Sequence, residues 1–199
     1  RLARLFRREP IMSETTAQPR TVAAAEKKTG TLDTAALILI AVLLAAGAIL
    51  KLTLGSVLSF AGMKPNFIIA MYCLAILLVR PKPLQAMGIG LIAGLICQIP
   101  MLAATPLLNI ASETLGGLAM GLLIMLPLKF GKFDASPVVA TFLATVVSGY
   151  TFVLLLAAMN GIAIPVALVT YAVMVFGTAT FNAILVQILV LPLRRALNR

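Results

Sequence analysis

Residues 34–54 read TAALILIAVLLAAGAILKLTL, and this stretch decides which solvent the chain is built for. It carries a single charge, Lys51. As a helix rising about 1.5 Å per residue it covers about 30 Å, the thickness of a bilayer's hydrocarbon core. Five more apolar runs follow, at 65–80, 84–104, 112–128, 137–158 and 165–193. A spanning helix needs about 17–25 such residues. The first, third and fifth runs meet that length, the second and fourth are short, and the sixth is long enough to tilt. The sequence therefore predicts an all-α integral membrane domain over 34–193 with six transmembrane helices. A basic tail of residues 1–33 precedes it and a short basic tail of 194–199 follows.

Composition agrees with a membrane domain. Of 199 residues, 61% are hydrophobic and 11% charged, against about 45–50% and about 25% in soluble domains. There are 16 Lys+Arg, 6 Asp+Glu and no His, so histidine acid–base chemistry, histidine metal sites and histidine pH sensing are excluded. Cys73 and Cys97 lie inside apolar runs and form no CxxC. They read as free thiols buried in the membrane domain, and neither a metal nor a disulfide framework is expected.

The basic residues give an orientation. With the N-terminus inside and six spans, the inner segments 1–33, 80–83, 129–136 and 194–199 hold 7, 2, 2 and 3 of them, 14 of the 16. Only Lys51 and Lys64 fall outside. The positive-inside rule places both termini in the cytoplasm of a cell carrying this chain in its plasma membrane. In the tail, RLARLFRREP sets Leu2, Leu5 and Phe6 on one helical face among arginines. It reads either as an interfacial helix on anionic lipid or as an extension upstream of Met12. The polar stretch SETTAQPRTVAAAEKKTG reads as a disordered leader, and the polar tail is not expected to act as a cleavable signal peptide.

Catalytic groups are scarce. There is no GxxxxGK[ST], so the chain hydrolyses no nucleotide through a P-loop. HExxH and paired acids are also missing, and Glu113 is the only acid between residues 34 and 133. No enzyme activity, cofactor or nucleic-acid partner is expected. Binding or transport asks for less: a cavity, an apolar lining and a few polar anchors. The polar residues sort by depth. Lys51, Lys64, Asn66, Gln98, Asn109, Ser112, Glu113, Asn160, Thr170 and Tyr171 fall on the outer side, and Ser148, Asn182 and Gln187 on the inner half. The short second span leaves GSVLSFAGMKP to dip into the outer leaflet or cap a cavity, because irregular backbone at that depth lies against protein or water. A ligand pocket in the outer half is therefore expected.

Lys51 and Lys64 are the outer cations and Glu113 the outer anion, a set suited to a zwitterion. A lysine meets its carboxylate and the glutamate its ammonium. Each residue has a plainer reading. Lys51 snorkels to the headgroups, Ser112-Glu113 opens a helix, Asn109 caps one, and Asn66 after Pro65 starts one. Tyr72, Tyr150, Tyr171, Phe60 and Phe67 are either stacking partners for an aromatic ligand or packing residues. Asn182 and Gln187 read as helix–helix glue, worth about 0.6 kcal/mol. Small residues recur at spacing four: Ala41 and Ala45, Gly90 and Gly94, Gly117 and Gly121. They serve either close packing within one bundle or a surface for another membrane subunit.

AVLLAAGAILK, a loop, Gly62-Met63-Lys64-Pro65, a short span, and Asn109 with a nearby acid together resemble the bacterial and archaeal tryptophan transport protein family. That family is similar to the substrate-binding (S) components of energy-coupling factor (ECF) transporters. The resemblance covers roughly residues 34–193. It implies a six-helix protein capturing a scarce nutrient from outside, energised by a separate ECF transmembrane subunit and two ATPases. It implies that Ala41 and Ala45 dock that subunit and that the loop through Lys64 closes over the ligand. One position departs from the family: Asn66 stands where an Asp usually follows GMKP. The loss of that negative charge widens the expected substrate from tryptophan to another aromatic or vitamin-like solute. The substrate-binding set is thus Lys64, Asn66, Asn109, Glu113, Lys51, Tyr72 and Tyr171. Two other functions stay open: an autonomous proton- or ion-coupled secondary transporter with Glu113 as the coupling carboxylate, and a ligand-free assembly protein.

Overall fold

A computed structural model describes residues 32–57, 66–127, 129–130 and 133–197. Six helices run in chain order: α1 (Thr34–Val57), α2 (Ile68–Val79), α3 (Pro83–Ile96), α4 (Pro106–Leu123), α5 (Ser136–Asn160) and α6 (Ile164–Ala196). Between α4 and α5 lies an antiparallel ladder of β1 (Lys129–Phe130) and β2 (Phe133–Asp134), the one departure from an all-helical chain among the described residues.

Helix ends follow local chemistry. Asp33 Oδ1 accepts the Ala36 N–H at 2.7 Å, and the Asp33 carbonyl accepts Leu37, which starts α1. Proline occupies the first turn of α3, α4, α5 and α6, where its missing N–H costs nothing. α2 ends on Arg80 in the left-handed region (φ 51°), and α5 ends on Gly161 (φ 65°).

α2 sets the architecture. Every residue from Ile68 to Leu78 is buried, and the helix touches α1, α3, α4, α5 and α6. It is apolar on all sides, as an enclosed helix must be. Close packing against the five neighbours holds it there. Ala70, Cys73 and Ala75 keep α2 thin, and Gly47 of α1 lies directly against Ile68 and Met71.

The α3–α4 pair shows the same principle. Gly94 faces the Asn109 carbonyl and Ile110, Gly90 faces Glu113 and Gly117, and Gly121 faces Pro83 and Ala86. Falling partners against rising numbers mark an antiparallel pair. The glycine spacings in these two helices therefore serve packing inside the bundle. Ala41 and Ala45 differ: both are exposed on the outer face of α1, beside exposed Ile38, Val42 and Ile49.

Three helices are long and apolar enough to cross a membrane, at Thr34–Gly55, Ser136–Asn160 and Ile164–Ala196. The first, fifth and sixth runs were thus read nearly to their ends. The middle runs need correction. The second shrinks to a 12-residue core helix. The run 84–104 breaks after Ile96, because Pro100 and Pro106 forbid one continuous helix and the Gln98 amide ties Gly94 O to Pro106 O at 2.9 and 2.8 Å. The fourth begins six residues earlier than 112, on Pro106. At the chain's end, 194–196 continue α6. There Arg194 meets Asp134 at 3.4 Å, and the Ser136 N–H meets Asp134 Oδ1 at 3.1 Å. Partial burial works to raise the Asp134 carboxyl; hydrogen bonding from Ser136 and the Arg194 guanidinium outweighs it and holds the group below the usual carboxylate range. Residues 1–31, including the tail helix and leader, lie outside the described residues.

Candidate functional site

A cavity opens where α1 ends, α2 begins and α3 runs into α4. Arg80, Lys82, Arg194 and Arg195 sit at the opposite helix ends. The space between its walls, counted out into the open mouth, is about 540 Å3. One wall is the irregular segment after α3, where Leu102, Ala103 and Ala104 face inward and Met101 adopts φ 74°. The α1–α2 connection, which the sequence reading gave as the cover, spans 58–65 and lies outside the described residues.

Four expected residues converge here: Lys51, Asn66, Asn109 and Glu113. Lys51 is 2% exposed, so it does not snorkel. Its Nζ donates to Cys97 Sγ, at the end of α3, at 3.3 Å. Glu113 is 1% exposed and sits in the middle of α4, as does Ser112, so neither opens a helix. Asn66 Nδ2 donates to Glu113 Oε1, while Oε2 has no protein hydrogen-bond partner. Lys51, Tyr72 and Ser148 are the other groups close enough to act on that carboxylate. Asn109 points Nδ2 back at the Thr105 and Pro106 carbonyls, both at 3.4 Å, which are weak contacts.

Two expectations fall elsewhere, and a third lies outside the described residues. Tyr72 is fully buried behind the wall, its hydroxyl pressed on Gly116, and it is not a lining residue. Tyr171 packs against the cluster of Val153, Ala157, Ala167 and Val175 and is not a lining residue. Lys64 lies outside the described residues, as does Phe60. Of the other aromatics, Phe67 meets Phe181 at a tilt with centroids 4.8 Å apart and Tyr150 meets Phe176 edge-on at 5.9 Å, so both serve packing.

α5 supplies what the sequence reading missed. Thr145, Ser148, Gly149 and Phe152 all line the cavity, with Val175 and Thr178 of α6 beside them. Ser148 therefore belongs to the site and not to a separate inner layer. The signal was present: Thr141, Thr145, Ser148 and Phe152 recur at helical spacing along one face of an otherwise apolar helix. Asn182 does join elements as expected, donating to Asn66 O at 3.3 Å and Thr145 Oγ1 at 3.5 Å.

Chemically, the cavity offers one buried lysine, one buried carboxyl with an oxygen that has no protein hydrogen-bond partner, several amides and hydroxyls, and an apolar wall that includes Phe152. Charges in such a place act through a low dielectric and are much stronger than in water. Comparison with protein-family models, with curated proteins and with solved structures finds no match to this chain.

Proposed function

We propose that this chain is a membrane-embedded subunit that captures a small zwitterionic nutrient, tryptophan or another aromatic or vitamin-like solute, for uptake. The observation that carries the reading is the pairing of buried Lys51 with buried Glu113 across one cavity. The substrate carboxylate meets Lys51 and its ammonium meets Glu113 Oε2, while Phe152, Leu102 and Val175 receive the apolar part. In this reading the six helices form the membrane domain, both termini face the cytoplasm, and the cavity lies in the outer half. The basic helix ends opposite the cavity support that orientation. The chain has no P-loop, so ATP-driven uptake requires a separate ECF-type transmembrane subunit and ATPases. The exposed face of α1 bearing Ala41 and Ala45 supports a membrane partner on that side.

The chain contains no tryptophan residue, so indole fluorescence in the purified protein reports only added ligand. Titrated tryptophan is expected to show saturable, blue-shifted emission of raised anisotropy. The signal is expected to disappear in Lys51→Ala and Glu113→Ala. Saturable binding that survives both substitutions refutes the clamp, and no signal with tryptophan removes that substrate.

One observation favours a second reading, an autonomous proton-coupled transporter: Glu113 is the only acid lining the cavity among the described residues. Uptake into vesicles carrying a proton gradient separates the two. Gradient-driven uptake by the purified chain alone, lost in Glu113→Gln, selects the second.

A further inference from the structure

Behind the cavity wall, one buried donor and one buried acceptor lie unmet. Tyr72 of α2 is fully buried, and its hydroxyl has no hydrogen-bond partner. Glu113 Oε2 has none either. The phenol tip reaches from α2 to the place where α4 meets α5. It lies against Gly116, and a methyl on Gly116 would also stand 2.8 Å from Ser148 Cβ. Gly116 follows Glu113 by three residues in α4, so the two share one helix face. Only a glycine leaves room there for the phenol tip. The hydroxyls of Tyr72 and Ser148 are both close enough to the Glu113 carboxylate to act on it.

The carboxylate needs such donors. Glu113 is 1% exposed, and among the described residues it makes no ion pair within 4.0 Å. Lys51 donates to Cys97 Sγ. Asn66 Nδ2 holds Oε1. A buried charge short of donors is costly. A carboxylate held at one oxygen also turns readily about its last side-chain torsion, whose energy profile is broad. Such a turn brings Oε2 to the Tyr72 hydroxyl. The bond then formed is charge-assisted, shorter than a neutral one and about twice as strong. A carboxylate offers about four lone-pair directions, so Oε2 can accept from behind the wall and still meet a cation in the cavity.

We propose that Tyr72, although not a lining residue, is the positioning residue for Glu113: its hydroxyl donates to Oε2 from behind the wall, fixes the carboxylate plane, and so makes the cavity select solutes that carry an ammonium group. The inference rests on the zwitterion reading of the cavity and adds to it the residue that sets the selectivity. It also accounts for a tyrosine at the centre of an otherwise apolar core helix, where phenylalanine would pack as well.

The probes are tryptophan and indole-3-propionate, which keeps the indole and the carboxylate and lacks the ammonium. Both are titrated by indole fluorescence against the purified full chain, Tyr72→Phe and Tyr150→Phe. Tyr150 packs on Phe176 outside the lining and is the control. The unsubstituted chain and the control are expected to prefer tryptophan. In Tyr72→Phe that preference is expected to fall about tenfold or more, the weight of one hydrogen bond to a charged group, with indole-3-propionate almost unchanged. A role in packing alone weakens both probes together and leaves their ratio where it was, and that result overturns the proposal. Thermal unfolding gives a second reading with no solute present. Tyr72→Phe is expected to lower Tm in the parent and to add nothing in a Glu113→Met background. Equal shifts in both backgrounds overturn the proposal. If Glu113→Met does not fold, the binding ratio decides. If neither probe binds the unsubstituted chain, the zwitterion reading fails, and the unfolding comparison decides the pairing of Tyr72 with Glu113 by itself.

Discussion

Gly90→Ala tests the α3–α4 interface at its tightest point. An added Cβ would stand 2.2 Å from the Glu113 carbonyl oxygen and 3.0 Å from Gly117 Cα. Carbon–oxygen contacts of even the weakest attractive kind stop at about 3.3 Å, so the two helices must part by about 1 Å. The obstruction is main chain on both counts and cannot rotate away. Overpacking costs about 1–3 kcal/mol, and a backbone clash places this case near about 3. For a chain of this size about 2–4 °C is lost per kcal/mol, giving a fall in Tm of about 6–12 °C in detergent. The displaced carbonyl belongs to Glu113, so ligand affinity is expected to fall with stability. Gly88→Ala in the same helix and Gly177→Ala in α6 are the controls, because nothing lies within 4 Å of either added methyl. Alanine is favoured over glycine within a helix by about 0.5–1 kcal/mol, so both controls should melt at or above the parent temperature. If Gly90→Ala melts with the controls, the close approach of α3 and α4 is wrong.

Further outcomes follow from the same geometry. Removing either Lys51 or Glu113 alone leaves a buried charge without its complement, so Lys51→Met and Glu113→Gln should each destabilise more than the double variant, as thermal unfolding of all three will show. Asp134 is held below its ordinary range, so its pairing stabilises fully above about pH 4 and is lost as pH falls through the folded value. The Asp134→Asn variant should lose that acid-side dependence, with an effect under about 1 kcal/mol because the pair is partly exposed. Cys73 and Cys97 are fully buried, so bulky maleimides should label neither until the bundle unfolds. Rapid labelling of Cys97 would mean that the cavity wall opens far more than described.

The long outer helices were legible because length and uniform apolarity suffice to define them. The ends of α1, α5 and α6 were placed to within about three residues. α2 was not, because a run of apolar residues does not say whether lipid or protein surrounds it. Only the shortness of the run at 65–80 hinted at the second. The break after Ile96 was written in Pro100 and Pro106, yet prolines are tolerated in membrane helices, which weakens the signal. In the cavity, the charged members were legible because charge in an apolar run is conspicuous. Thr145, Ser148 and Thr178 were not, since hydroxyls in membrane helices commonly bond to their own backbone. Thr145 does so with Thr141 O, and nothing in spacing alone reveals that its oxygen also faces Asn182.

The enclosure of α2 also bears on the order of synthesis. Its walls include Val186 and Val190 of α6, more than a hundred residues later in the chain. During translation the ribosome delivers α2 long before that wall exists. The helix is too short to settle across a bilayer by itself, so it must wait, held against α1 through Gly47, until the last helix arrives. A nascent chain halted before α6 would therefore present an unfinished groove, and membrane quality control would see the missing C-terminal helix as an exposed second one.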